Sequence, residues 1–158
     1  MSFDKVAGQG RAKSQIRAWF ESNRLPHTIL IAGLPGTGKR RLALELAKAI
    51  QCVGNPSDSC DKCRSCTRCD ELTHPDLHVL LPITATHGNA GDTDQEAMRL
   101  SALEYLQDIG VSADSSANIA RENLRALQGE MVYAPTTSPR RVAILFEVDQ
   151  MHPAGANS

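Results

Sequence analysis

The glycine-rich segment at residues 28–50, TILIAGLPGTGKRRLALELAKAI, constrains the fold more than any other part of the chain. A short β-branched and leucine run at residues 28–31 precedes the glycines, and apolar residues then recur at helical spacing over residues 42–50. In this order of strand, glycine loop and helix, backbone N–H groups and a helix N-terminus can bind a phosphate. The segment therefore predicts an α/β fold with a parallel sheet flanked by helices.

The loop has the glycines and the lysine of a phosphate-binding loop, but not the residue that should follow the lysine. Its candidate binding residues are Gly33, Gly36, Thr37, Gly38, Lys39 and Arg40. Lys39 stands where a lysine reaches the outer phosphates, and the next position normally carries a Ser or Thr hydroxyl that ligates Mg²⁺. Arg40 occupies that position, and a guanidinium cannot ligate a cation. The loop is therefore a candidate site for ATP, ADP or phosphate, in which Mg²⁺ is not expected.

The apolar run at residues 140–149, RRVAILFEVD, is predicted to be a buried strand that ends in acidic residues. In P-loop hydrolases an Asp at the end of such a strand holds Mg²⁺, and it is commonly followed by a Glu that orients the attacking water. Counting back from Glu147, Phe146 occupies the Asp position. We therefore expect no intrinsic ATPase activity, with Glu147 as a vestigial catalytic candidate. The alternative is that Asp149 or a chain of waters replaces the missing ligand.

Five cysteines lie within residues 52–69, and their spacing predicts a metal-binding module. A C-x-x-C turn aims two sulfurs at one point, as a tetrahedral Zn²⁺ site requires. Because one closed site takes four ligands, we prefer the set that draws on two separate segments to a set that includes Cys69. The preferred ligands are Cys52, Cys60, Cys63 and Cys66. Structural Zn²⁺ is the expected cofactor, and free thiols or an iron–sulfur cluster are the alternatives.

The net charge and the hydropathy pattern restrict the class of protein. With 17 basic and 18 acidic residues the net charge is −1, so the chain as a whole has no electrostatic footprint for nucleic acid. Aromatic residues, which could stack on bases, make up only 4% of the chain. No apolar run approaches the roughly 20 residues that span a bilayer. We therefore expect a cytoplasmic protein without membrane attachment.

The remaining periodicities predict further helices and one further parallel strand. The predicted strand covers residues 77–81, and the predicted helices cover residues 11–22, 95–109 and 118–131. Residues 83–117 form an expected loop and helix insertion within one partial domain over residues 1–158.

Together these features resemble the delta-prime family of bacterial DNA polymerase III clamp-loader subunits. The resemblance rests on the GLPGTGKR loop, the cysteine module after the loop helix, HPDLHVL at residues 74–80 and FEVDQMHPAGAN at residues 146–157. It covers essentially the whole chain and explains residues 83–117 least. It implies an AAA+ (RecA-like) fold, in which a zinc module protrudes from a parallel sheet flanked by helices.

The resemblance also implies a function. Delta-prime proteins are the non-hydrolysing, stator-like subunits of an assembly that loads the sliding clamp onto primed DNA in replication. The implied partners are the tau/gamma and delta subunits and, through the complex, the sliding clamp and primer-template DNA, all within the DNA polymerase III holoenzyme. The related motor subunits carry Lys-Thr or Lys-Ser in the loop, so Lys39-Arg40 argues against a motor.

The chain ends at Ser158, so the expectation is a partial first AAA+ domain without the later strands. The family's arginine finger, in a Ser-Arg-Cys motif, is expected beyond this residue. Two other classes of protein remain open alternatives: an active P-loop enzyme, such as a tau/gamma-like ATPase or a nucleotide kinase, and a zinc-dependent nucleic-acid-binding module.

Overall fold

The computed structural model describes residues 2–55, 57–82, 102–104, 106, 119 and 121–150. The helices are α1 (Gly10–Glu21), α2 (Lys39–Gln51), α3 (Arg64–Asp70) and α4 (Arg121–Met131), and the strands are β1 (Leu77–Leu80) and β2 (Val142–Leu145). Short 3₁₀ turns lie at Ser2–Lys5 and Val148–Gln150. None of the described helices is both long and apolar enough to cross a bilayer.

The chain divides into two compact units. One comprises Met1–Leu77 with Pro135–Val142, and the other comprises His78–Ala134 with Ala143–Ser158. The candidate phosphate loop and the cysteine module both belong to the first unit.

The core of the first unit forms between the N-terminal turn, α1 and α2. Phe3 and Val6 of the N-terminal segment pack with Ile16 of α1 and with three residues of α2, namely Leu42, Leu46 and Ala49. The residues of α2 are spaced four and three apart, so they lie on one face of the helix, as the periodicity predicted. This packing fixes the helix that leads out of the phosphate loop.

The predicted strand at residues 28–31 is wrong. The structure assigns no strand there, because no strand within the described ranges pairs with these residues, and a strand needs a hydrogen-bonded neighbour. The alternation typical of an extended segment is nevertheless present. Ile29 and Ile31 are partly buried against the first core, whereas Leu30 between them is 77% exposed.

Strands β1 and β2 form a two-stranded parallel sheet. The Val142 N–H donates to the Asp76 carbonyl at 2.8 Å, and the Phe146 N–H donates to the Leu80 carbonyl at 3.0 Å. Both partners advance four residues in the same direction, which is a parallel register. The second strand is shorter than the predicted run at 140–149, because Glu147 has a left-handed backbone with φ of 49° and ends the extended conformation.

The core of the second unit contains Leu80, Ile119 and Leu124, with Leu127 and Leu145 packed against it. Leu124 and Leu127 are three residues apart and therefore lie on one apolar face of α4. Met131, the last residue of the helix, is 41% exposed.

The predicted helix at residues 95–109 and the predicted insertion at 83–117 lie mostly outside the described residues. Within them, residues 102–104 and 106 are helical.

Candidate phosphate loop and metal centre

The candidate phosphate loop leads directly into α2 and is held by side-chain hydrogen bonds. Gly36 and Gly38 have φ values of 75° and 80°, a left-handed conformation that glycine adopts without penalty. Thr37 Oγ1 donates to the Leu34 carbonyl at 2.8 Å, and Gln9 Nε2 donates to the Thr37 carbonyl at 2.6 Å. The loop is therefore tied to itself and to the segment before α1.

Lys39 is engaged by the loop's own backbone. Its ammonium donates to the carbonyls of Gly33 and Leu34, both at 2.8 Å. A lysine has three N–H donors, so these two bonds leave one for an anion or for water. Arg40 follows in the first turn of α2, and that turn contains no acidic residue. The loop and this turn thus offer N–H donors and positive charge to a phosphate. The first turn of α2 has no side-chain oxygen that could bind a metal ion.

Phe146 lies directly after β2, where the sequence analysis placed the missing metal-binding Asp. Its residue surface is only 5% exposed, so its side chain belongs to the protein interior. Glu147 is partly buried and left-handed, and Asp149 is exposed in the turn at Val148–Gln150. The carboxylates of Glu147 and Asp149 therefore lie beyond the end of β2, and neither occupies the position directly after the strand.

The preferred four cysteines come together in the first unit. The Sγ atoms of Cys52, Cys60, Cys63 and Cys66 all lie within 4.8 Å of one another. The Sγ–Sγ distance is 3.5 Å between Cys63 and Cys66 and 4.0 Å between Cys60 and Cys66. Tetrahedral Zn²⁺ with Zn–S bonds of about 2.3 Å requires sulfurs about 3.8 Å apart. The donor set and its spacing fit such an ion.

Three elements position these sulfurs. Cys52 is the residue that ends α2, Cys60 and Cys63 flank a tight turn, and Cys66 lies in the first turn of α3. Cys69, the alternate ligand, is one turn of α3 further on and does not belong to the group of four found among the described residues. Burial raises the pKa of Cys69 to about 12, so this thiol stays protonated near neutral pH.

Backbone N–H groups point at the sulfurs, as is usual around metal-bound thiolates. The Cys60 N–H donates to Cys52 Sγ at 3.4 Å, and the Cys63 N–H donates to Cys60 Sγ at 3.4 Å. Hydrogen bonds from the Lys62 and Cys63 N–H groups lower the pKa of Cys60. Burial raises the pKa of Cys63, but hydrogen bonds from Cys66 and Val53 outweigh it and lower the pKa to about 6. Burial raises the pKa of Cys66.

Gly54 makes room for the cysteine cluster. A Cβ built on Gly54 would lie 3.0 Å from Cys60 Sγ, which is tighter than most Cβ contacts and would require the sulfur to shift by a few tenths of an ångström. The glycine therefore allows the segment after Cys52 to pass close to the sulfur of Cys60. Gly54 was not among the residues predicted from the sequence, although its position two residues after a cysteine is a local signal that could have indicated it.

A buried polar centre lies around Asp76, which is fully buried, and it was not predicted from the sequence. Its carboxylate accepts hydrogen bonds from the backbone N–H groups of Thr136 at 2.6 Å, Thr137 at 2.8 Å and Ser138 at 3.1 Å. The Thr137 hydroxyl adds a fourth bond at 3.1 Å. One carboxylate thus fixes the loop before β2, and an acidic residue immediately before an apolar strand is the signal that could have indicated it.

The residues around Asp76 complete this centre. The Asp76 N–H donates to His74 Nδ1 at 3.1 Å, so the ring proton of a neutral His74 lies on Nε2, which is 3.1 Å from Ser138 Oγ. Burial lowers the pKa of His74 and keeps the ring neutral. Gln51 at the end of α2 donates to the Asp76 carbonyl at 2.8 Å. The His-Pro-Asp segment therefore connects α2 to the loop before β2.

Comparison of the sequence with known proteins places the chain in one family. The family model described as DNA polymerase III, delta subunit, matches residues 8–158. The DNA polymerase III subunit delta' of Bacillus subtilis is 29% identical over 87% of this chain and 32% of its own length. The subunit delta' of Escherichia coli is 26% identical over 79% of this chain and 41% of its own length.

A DNA polymerase III subunit of another type is also similar. The gamma/tau subunit of Mycobacterium bovis is 25% identical over 99% of this chain and 22% of its own length. The chain therefore spans less than half the length of each of these relatives. Because the family model matches nearly the whole chain and the similar proteins include several delta' subunits, the chain belongs to the DNA polymerase III delta-prime family.

Proposed function

We propose that this chain is part of a non-hydrolysing, stator-like subunit of a clamp loader, and that it helps to load the sliding clamp onto primed DNA during replication. The observation that carries the proposal is the loss of both Mg²⁺-holding groups in a chain of this family. Arg40 replaces the loop hydroxyl, and the 5% exposed Phe146 replaces the carboxylate after β2. Without Mg²⁺, the charge that develops on a transferred phosphoryl group goes uncompensated.

The proposal assigns the loop a binding role rather than a catalytic one. The glycine backbone, the N-terminus of α2 and Lys39 supply N–H donors and positive charge, which suit ATP, ADP or phosphate. Binding should then depend on Lys39 and be independent of Mg²⁺. Glu147 has no metal-activated reaction to assist and remains a vestigial residue.

The proposed partners are those of a clamp loader: tau/gamma and delta subunits, and through them the sliding clamp and primer-template DNA. The relatives that support this are named as subunits of DNA polymerase III. In this proposal the chain works in the cytoplasm within the polymerase holoenzyme, which is a nucleotidyltransferase, and catalyses no nucleotidyl transfer itself.

The metal proposed for the four-cysteine cluster is a structural Zn²⁺. Four protein thiolates close the coordination sphere and leave no position for substrate, so the ion would supply only cross-linking. Cys52 would join the end of α2 to Cys60, Cys63 and Cys66 of the module. Chelation should therefore lower the melting temperature, and an unchanged melt after metal removal would oppose a structural metal.

An active, tau/gamma-like ATPase is the second candidate. It is favoured by the gamma/tau relative that aligns with 99% of this chain and by the retained Lys39. A motor must hydrolyse ATP with Mg²⁺, whereas a stator need not. A reconstituted clamp loader separates the two roles. In the stator role, Lys39→Ala in this chain leaves ATP-driven clamp loading intact. Loss of loading with normal assembly would assign the chain to the motors.

A further inference from the structure

Lys48 is a buried cation that joins α2 to the cysteine module. Its side chain is 2% exposed, and its ammonium contacts three carboxylates. These are Glu45 of the same helix at 3.1 Å, Asp61 at 2.9 Å and Asp70 at 2.8 Å. Three acceptors match the three N–H donors of an ammonium group. Asp61 lies within the module and Asp70 is the last residue of α3, the helix that carries Cys66, so this one side chain docks the module onto α2.

Asp61 occupies the tight turn between Cys60 and Cys63. Its φ of 56° is left-handed, a conformation that Asp tolerates better than most non-glycine residues but that still costs energy unless contacts offset it. Its carboxylate is held by Lys48 at 2.9 Å, by Lys5 of the N-terminal turn at 3.0 Å and by the Ser59 hydroxyl, which donates to it at 2.9 Å. Contacts from outside the turn therefore hold Asp61 in place.

The left-handed turn controls where the backbone donors point. The Cys63 N–H donates to Cys60 Sγ at 3.4 Å across the turn. A turn that relaxed to a right-handed conformation would rotate this N–H group away from the sulfur. The orientation of the Cys60 sulfur thus depends on the conformation of Asp61.

We propose that Lys48 and Lys5 are positioning residues for the metal centre. By holding the Asp61 carboxylate, they keep the turn between Cys60 and Cys63 in the conformation that directs the Cys63 N–H to Cys60 Sγ and the sulfurs to the ion. This inference rests on the metal centre proposed above and adds residues that do not ligate the metal. Through Lys5 and Lys48, the N-terminal turn and the C-terminal part of α2 then help to hold the metal ligands in position.

The test is the affinity for Zn²⁺ of a series of Asp61 variants, measured by competition with a chromophoric chelator. Asp61→Asn removes the charge but keeps a residue that tolerates left-handed backbone, and Lys48 retains Glu45 and Asp70, so the fold is preserved. We expect affinity to fall roughly 10-fold, as for other groups that orient metal ligands. Asp61→Ala, which also resists the left-handed turn, should bind more weakly than Asp61→Asn, and Asp61→Gly should bind more tightly than Asp61→Ala.

Two further measurements make the test specific. Lys5→Met should weaken Zn²⁺ binding in the wild-type background but not in the Asp61→Asn background, because the two side chains act through one contact. The control is Asp4→Asn, whose carboxylate pairs with Arg17 at 3.5 Å, away from the module. Thiolate-to-metal charge-transfer absorption of the Co²⁺ form should decrease in the Asp61 variants and not in the control.

The outcomes distinguish this inference from the proposed metal centre. If the wild-type chain shows no Co²⁺ charge-transfer band, the metal centre itself is refuted and the inference with it. If the wild type binds metal and Asp61→Asn and Asp4→Asn bind Zn²⁺ equally well, only the positioning role is refuted.

Discussion

Replacing Asp76 by Asn should destabilise the first unit more than any conservative change of an exposed carboxylate. Burial raises the pKa of Asp76, but hydrogen bonds from Thr136, Thr137 and Ser138 outweigh it and lower the pKa to about 2. Against about 3.9 in an unfolded chain, this corresponds to about 2.6 kcal/mol of stabilisation of the ionised form. The asparagine side chain has a single acceptor oxygen. Its NH₂ group would face backbone N–H groups that now donate to the second carboxylate oxygen, and two donors cannot bond to each other. We therefore expect a loss of about 3 kcal/mol at pH 7.

The pH dependence identifies the charge as the cause. The pKa of Asp76 is lower in the native protein than in the unfolded chain. The contribution of the ionised carboxylate to the free energy of unfolding is therefore fully present above about pH 4 and is lost as the pH falls through about 2. About half of it should remain at pH 3. Protonated Asp and Asn are both neutral and similar in shape, so the wild type and Asp76→Asn should converge in stability as the pH falls.

The assay is urea unfolding of the wild type and Asp76→Asn at several pH values between 7 and 3. Comparing the two proteins at each pH cancels effects that they share, such as protonation of the cysteines. Asp4→Asn serves as the exposed control and should cost less than about 1 kcal/mol. The reasoning is refuted if Asp76→Asn costs no more than Asp4→Asn at pH 7, or if its cost does not shrink towards pH 3.

Two further predictions concern the metal module and the second core. Gly54→Ala should weaken Zn²⁺ binding, because its Cβ would lie 3.0 Å from Cys60 Sγ, whereas Gly10→Ala, with nothing within 4 Å of its Cβ, should bind Zn²⁺ normally. Equal Zn²⁺ affinities of the two variants would contradict the close approach of the Gly54 backbone to Cys60 Sγ. Leu124→Ala, at an 8% exposed core position, should lower the free energy of unfolding by about 2–4 kcal/mol. Leu30→Ala, at a 77% exposed position, should change it by less than about 0.5 kcal/mol, and a comparable loss at both would contradict the assigned burial.

Features with a short sequence period were predictable. The glycines and lysine of the loop lie within six residues of one another, and the apolar face of α2 repeats every three or four residues. The cysteine cluster was also predictable, because its geometry follows from the C-x-x-C spacing and from the end of α2 at Cys52. In each case the residues that determine the structure are neighbours along the chain.

Contacts between distant segments were not predictable from local patterns. The Asp76 carboxylate binds N–H groups 60 to 62 residues further along the chain. Periodicity assigns a lysine to a solvent-exposed face, yet Lys48 is buried by carboxylates on other segments. Likewise, residues 28–31 have the composition of a strand, but pairing depends on a neighbour that composition does not specify. Long-range partners decide each of these cases.

The central claim is that the loop of this chain binds nucleotide or phosphate without hydrolysing it. The most direct measurement is equilibrium binding of ATP to the purified protein with and without Mg²⁺, with phosphate release followed in the same sample and Lys39→Ala as the control. We expect binding that is independent of Mg²⁺, weakened by Lys39→Ala, and accompanied by no turnover. Tight Mg²⁺-dependent binding with turnover that Lys39→Ala abolishes would contradict the claim and place the chain among the motor subunits.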